Sequence, residues 1–229
     1  VVQLLSKKPE QSGAELTGIY GENKTYKSIA KANLVANNGF YAQISGQRLE
    51  TDGTRIYEGR PSTDRGAFDQ KGYNAKVGYS QNNLVDASIS ISENKGISIF
   101  SYDYETTASP REFENRIINT KLSYHLLPNL VIGSHLANVK DKQNVIDYGD
   151  HYDTENNEAD LNLKWNFTEH QNILVGATYN DANYKTNSIL ANDQSVESKG
   201  YYAQHQFTNN LLDTQVGVRL EDNKRFGTH

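Results

Sequence analysis

Between Glu158 and Tyr179 the sequence alternates twice, once on each side of a short polar turn. Leu161, Leu163, Trp165 and Phe167 are separated by Asn162, Lys164 and Asn166. After Thr168-Glu169-His170-Gln171, the residues Ile173, Val175, Ala177 and Tyr179 alternate with smaller or polar ones. A period of two gives a strand one apolar and one polar face. The aromatic residues narrow the choice of fold. Trp165, Phe167 and Tyr179 stand at strand ends, whereas a sandwich hides its aromatics mid-strand in a core. A membrane barrel sets them in girdles at its two interfaces, around an apolar outer band. The hairpin therefore predicts an all-β, antiparallel up-and-down transmembrane β-barrel.

A mean hydropathy of -0.74 with 36% hydrophobic residues is too polar for helical spans. Such spans need roughly 20 consecutive apolar residues, and the sequence has none. Barrels escape this requirement because only every second strand residue meets lipid. A net charge of -5 argues against nucleic acid as a partner, since that binding rests on a basic surface. With no cysteine, disulfide and thiolate-metal scaffolds are excluded. The chain opens on Val-Val rather than Met, carries no signal peptide, and reads as an internal piece of a longer protein.

Further hairpins follow the same rhythm. Strands are expected over Ala14–Gly21, then Lys27–Ala36 and Phe40–Leu49 across the Asn37-Asn38-Gly39 turn. Tyr73–Tyr79 and Val85–Ile91 flank Gln81-Asn82-Asn83, and Ile118–Tyr124 meets Leu130–Val139 across Leu127-Pro128-Asn129. Tyr201–Phe207 turns at Asn209-Asn210 into Leu212–Leu220. That makes about eleven strands. Long loops are expected over Glu50–Lys71, Glu93–Asn115, Lys140–Asn157 and Asp181–Gln194. The short turns should share one end of the sheet, with Phe40, Tyr79, Tyr124, Phe167, Tyr179 and Phe207 beside them. Val85, Ala87, Ile89, Ile91, Leu161, Leu163, Ile173, Val175, Val216 and Val218 should share the lipid-facing side. Asp86, Lys164 and Arg219 should point into the lumen, because a lipid-facing charge costs ~2–4 kcal/mol at the bilayer midplane.

Two stretches resemble a known family. Val1-Val2-Gln3-Leu4-Leu5-Ser6-Lys7-Lys8-Pro9 resembles the end of the plug domain in TonB-dependent outer-membrane receptors. Glu221-Asp222-Asn223-Lys224-Arg225-Phe226-Gly227-Thr228-His229 resembles the Asp-Asn-x-x-Phe-Gly-x-His stretch found midway round their barrels. The resemblance leans toward cobalamin receptors, with catecholate-siderophore receptors near them. It implies that residues 1–10 end the plug and that residues 11–229 form an arc of a roughly 22-stranded barrel. It further implies a bacterial outer-membrane location, lipid and the TonB complex as partners, and cobalamin or a ferric siderophore as ligand. A smaller barrel acting as a passive channel or adhesin is the alternative.

By the same resemblance, Asp69, Asp103 and Glu114 are candidate calcium ligands from two neighbouring loops, with Asp64 nearby. Calcium takes several oxygens at ~2.3–2.6 Å, so those carboxylates must converge. Lys71 departs from the pattern, which has another carboxylate there. Asp147, Asp150, Asp153, Glu155, Glu158 and Asp160 lack the glycine turn of an EF-hand and read as solvated loop. Asp150-His151 raises a barrel protease, but adjacent residues of an extended chain face opposite ways. His125, His135, His170 and His205 show no metal spacing on one element. Catalytic residues are therefore expected to be none.

Overall fold

The computed structural model describes residues 8–56, 65–81, 84–100, 108–188, 193–225 and 227–228. They form one antiparallel sheet in strict chain order: β1 (Gly13–Gly21), β2 (Thr25–Val35), β3 (Phe40–Thr51), β4 (Phe68–Gln81), β5 (Val85–Phe100), β6 (Ser109–Leu127), β7 (Leu130–Val145), β8 (Asp150–Asn166), β9 (Gln171–Thr186), β10 (Gln194–Thr208), β11 (Asp213–Asn223) and the two-residue β12 (Gly227–Thr228). The expected eleven barrel strands are β1–β11. Of the stretch assigned to the plug, Val1–Lys7 lies outside the described residues.

Among the described residues no strand packs against any but its neighbours in sequence, so they form a single-layer sheet. Tyr41 and Val145 are the only buried hydrophobic side chains among the described residues, while Leu16, Ile44, Leu161, Val216 and many others are exposed. A sandwich would bury that set between two layers. This sheet has no core of its own.

The register fixes the faces, because directly paired residues share a side of the sheet. One line of partners runs Leu34, Ala42, Val77, Ile89, Thr120, Leu136, Ala159, Tyr179, Lys199 and Asp222. Ala42 lies two residues past Phe40, Ile89 four past Val85, Leu136 six past Leu130, and Tyr179 eight past Gln171. The line thus climbs about one residue per strand. With ~3.4 Å rise per residue and ~4.8 Å between strands, that stagger tilts the strands roughly 35°, as barrel closure requires.

The expected sides are confirmed. Val85, Ala87, Ile89 and Ile91 share a face with Leu161, Leu163, Ile173, Val175, Val216 and Val218. Asp86, Lys164 and Arg219 take the other. The glycines reveal which face is concave. A Cβ on Gly18 or Gly46, on the apolar face, would meet nothing closer than 3.9 Å. On the polar face, a Cβ at Gly78 would overlap the Tyr41 ring, and one at Gly176 would overlap Tyr202. Side chains converge only on the inside of a curve, so the polar face is concave and the apolar face convex.

Aromatic residues border the convex apolar band. Phe40 and Tyr79 touch at 4.8 Å between ring centroids, and Trp165 and Phe167 at 5.7 Å, near the short turns. Tyr73, Tyr179 and Tyr201 mark the opposite border. This corrects the expectation for Tyr179, which stands eight residues along β9 from the turn at Gln171. Eight residues at ~3.4 Å and ~35° tilt rise about 22 Å, close to the ~25 Å apolar height of outer-membrane barrels. Between the borders, the convex face of β2–β11 carries no Asp, Glu, Lys or Arg.

Chain order places the short connections after β2, β4, β6, β8 and β10 at one end of the sheet. Gly39 at φ +93° makes the first of them, with its N–H donating to the Ala36 carbonyl at 3.2 Å. The opposite end holds fewer long loops than the sequence suggests. β7 and β8 pair throughout Val145↔Asp150 to Leu130↔Trp165, so the expected Lys140–Asn157 loop is a hairpin closed at Ile146–Gly149. Gly149 there adopts φ +68° and donates to the Val145 carbonyl at 2.9 Å. Likewise β5 and β6 pair from Val85↔Tyr124 as far as Phe100↔Ser109, inside the expected second loop. Beyond the apolar band the outer ends of β7 and β8 are mostly polar on both faces. The ladder continues there, but the alternation that advertises it ends.

Two measurements test the faces. Val175→Arg in the intact barrel should cost ~2–4 kcal/mol on refolding into lipid, whereas Lys164→Ala should be mild; small and equal losses would reject the assignment. Gly176→Ala should cost about 1–3 kcal/mol through overpacking against Tyr202, and Gly18→Ala should not.

Candidate functional site

Two surfaces carry chemistry. The concave face is a polar network that runs from the level of the apolar band up to that of the charge belt. Gln43 donates to Asn33 at 2.9 Å and Asn115 to Asp141 at 2.9 Å. Tyr202 donates to Asp160 at 2.9 Å, and Arg219 reaches Thr178 at 3.0 Å and Glu221 at 3.1 Å. Such a surface suits a water-filled or plugged lumen, since these polar groups find partners away from lipid.

The second surface lies at the end opposite the short turns. Here the 52–67 connection is pinned at its base, where Asp52 N–H donates to the Asn23 carbonyl at 2.9 Å and Lys24 pairs with Asp52 at 2.8 Å. Asn187 ties the 187–193 connection to the β7–β8 turn, donating to the Gly149 carbonyl at 2.9 Å. Above the convex apolar band the strands carry a belt of charge. Arg48 donates to Glu50 at 3.0 Å and Asp69 at 3.2 Å. Lys95 pairs with Glu93 at 2.7 Å and Lys140 with Glu155 at 2.9 Å. Lys199 and Lys224 both engage Glu197.

This belt contains two of the candidate calcium ligands. Asp69 projects from β4 and Glu114 from β6, both on the convex face, with β5 between them. Lys95 is the direct partner of Glu114 and of Lys71, so a cation stands in the gap. The Asp69 Oδ1 is buried without a hydrogen-bond partner, but the carboxylate directly opposite it, Glu50, is tied up with Asp69 by Arg48. Among the described residues no group of three acidic, histidine or cysteine side chains is placed to hold a metal. Asp103 and Asp64 lie outside the described residues.

The acidic run from Asp150 to Asp160 is strand β8 rather than the expected solvated loop, with Asp147 alone in the turn before it. Asp153 and Glu155 face outward on β8, whereas Glu158 and Asp160 face the concave side. Asp150 and His151 point to opposite faces. His135 bonds Asn119 at 3.2 Å and His205 bonds Gln171 at 3.1 Å, in separate places. The alternation reading missed the belt cations Arg48, Lys95, Lys140 and Lys142. Carrying the parity of each apolar face past its last apolar residue would have found them.

No protein-family model and no curated protein matches the sequence. Solved structures do match its shape. The FrpB iron transporter from Neisseria meningitidis (F3-3 variant) aligns with a TM-score of 0.78 at 12% identity, covering 94% of this chain and 42% of that one. The siderophore receptor PirA from Pseudomonas aeruginosa aligns at 0.73 and 13% identity, covering 98% and 40%. The fold is that of an outer-membrane receptor barrel. The ferripyoverdine receptor of the Pseudomonas aeruginosa outer membrane shares it at 0.69 and 12% identity, over 95% and 38%. The chain spans about two fifths of the length of these barrels.

Glu155 offers a test of the belt. Its hydrogen bonds from Lys140 and then Asn138 hold the carboxyl below its usual 4.5. A depressed carboxyl contributes stability above its unfolded value and loses it as pH falls through the folded one. The outer ends of β7 and β8 should therefore open increasingly below pH ~4.5. Hydrogen exchange corrected for intrinsic rates would show this, and Glu155→Gln should flatten the dependence.

Proposed function

We propose that this chain is an arc of the wall of a TonB-dependent receptor in the bacterial outer membrane. The observation that carries it is the single-layer sheet, staggered one residue per strand, with a charge-free convex band and a polar concave face. A shape shared with iron and siderophore receptors over nearly the whole chain supports it. The ligand class favoured is a ferric siderophore or a related metal complex, because neighbours carry iron, a siderophore or copper in their names. Cobalamin is the alternative ligand. The connections at the end opposite the short turns are the outward-facing ones and supply part of the ligand-contacting surface. The concave network, with Lys76, Asp86, Lys121 and Arg219, faces a plug folded inside the barrel.

A transport assay in an iron-starved Gram-negative host carrying the intact receptor tests this reading. Uptake of labelled ferric catecholate should depend on the receptor and vanish when TonB is deleted. Labelled cyanocobalamin entering instead would shift the ligand to the alternative. Solute entry that persists without TonB would sink the receptor reading in favour of a passive channel.

A further inference from the structure

The chain reaches β1 along the concave side of the sheet. Lys8 holds its Nζ 5.8 Å from the centroid of the Tyr41 ring, and Lys76 holds its own at 6.0 Å. Tyr41 stands on β3, faces the lumen, lies across Gly78 of β4 and is only 4% exposed. Gln43 and Ser45, further along β3, are half-buried. Pro9 is buried as well, and a proline brings no N–H that would need a partner there. A cation within about 6 Å of an aromatic centroid is attracted by the charge distribution of the ring, more strongly where water is excluded. Asp86 shares the concave face with Lys76 on the neighbouring strand, so the two lysines are not left to repel each other alone.

Ser12 makes the next fastening. Its hydroxyl accepts from the Val35 N–H at 2.8 Å and donates to the Val35 carbonyl at 3.3 Å. Val35 is the direct partner of Tyr41, so both fastenings meet at one place on the wall. The ladder between β1 and β2 starts only after them, at Gly13↔Asn33. Most side chains of β1 are exposed, and among the described residues the strand pairs with β2 alone. A pull on the chain ahead of β1 would open that ladder one pair at a time from Gly13. Residues 8–12 come before the first pair and meet such a pull first.

We propose that residues 8–12 are a strap, fastened on Tyr41 and Val35, that takes the load when the segment ahead of Lys8 moves and so keeps β1 in the wall. The proposal rests on the reading of a plug inside the barrel, since a solute passes such a lumen only if what fills it gives way. The intact receptor in a lipid bilayer would be pulled by its N-terminus with an atomic force microscope, the contour length telling which residue carries each force peak. Wild type should show a peak at residues 8–12 and a second at Gly13, separated by about 17 Å of chain. Tyr41→Leu should abolish the first peak, and Lys8→Gln, which lies outside the sheet, should lower its force. Tyr26→Leu, on the convex face, should leave it in place. No peak ahead of Gly13 in wild type, a peak unchanged in Tyr41→Leu or in Lys8→Gln, or an equal loss in Tyr26→Leu would overturn the proposal. The uptake assay tests the receptor reading separately. Solute entry without TonB, alongside an intact first peak, would reject that reading and leave the strap standing.

Discussion

Within hydrocarbon there is no water to satisfy an N–H or a carbonyl, so each must be paired by the protein itself. The rest of this structure depends on that constraint. Strands β2–β10 have neighbours on both sides, and their ladders run unbroken save for one register shift between His125 and Leu127. Once the backbone is committed to a single curved layer, side chains have two destinations. The convex side takes Val, Ile, Leu and Ala, whose packing partner is lipid. The concave side takes Asn, Gln, Asp and Lys, which bond to one another. A core between layers is unnecessary, and Tyr41 and Val145 are as near to one as the described residues come.

Curvature imposes a second requirement. On the inside of the arc, long polar side chains crowd together, and Gly78 and Gly176 leave room for Tyr41 and Tyr202 to lie across the sheet. Tyr202 then reaches Asp160, two strands away on β8. The concave network thus depends on residues with no side chain as much as on those that form bonds. The convex face has no such need, because its side chains splay apart.

The sequence made the faces legible wherever apolar and polar residues alternate, as from Val85 to Ile91 and from Leu161 to Trp165. It hid the outer halves of the strands. From Lys140 to Asn157 both faces are polar, so the period of two has no contrast to show, and Gly149 was the only local mark of a turn. Tyr179 was misplaced although its eight residues from the turn at Gln171 can be counted along one strand. The surface chemistry, by contrast, belongs to pairing. Lys71 stood out as a departure from an acidic pattern, but its alignment with Arg48 and Lys95 exists only once three strands are in register. The gap between Asp69 and Glu114, with Lys95 inside it, is equally a property of the sheet.

The stagger of one residue per strand means that each short-turn hairpin carries its own share of the tilt. Such a sheet is a ramp assembled from interchangeable steps. Adding or removing a whole hairpin would change the girth of the wall while leaving its pitch, its apolar height and its inner and outer faces intact. A single strand added or lost would reverse the direction of every strand beyond it, exchanging the two ends of the wall. Walls of this kind can therefore grow by duplication in pairs, and width becomes a quantity that evolution can adjust without redesigning the span.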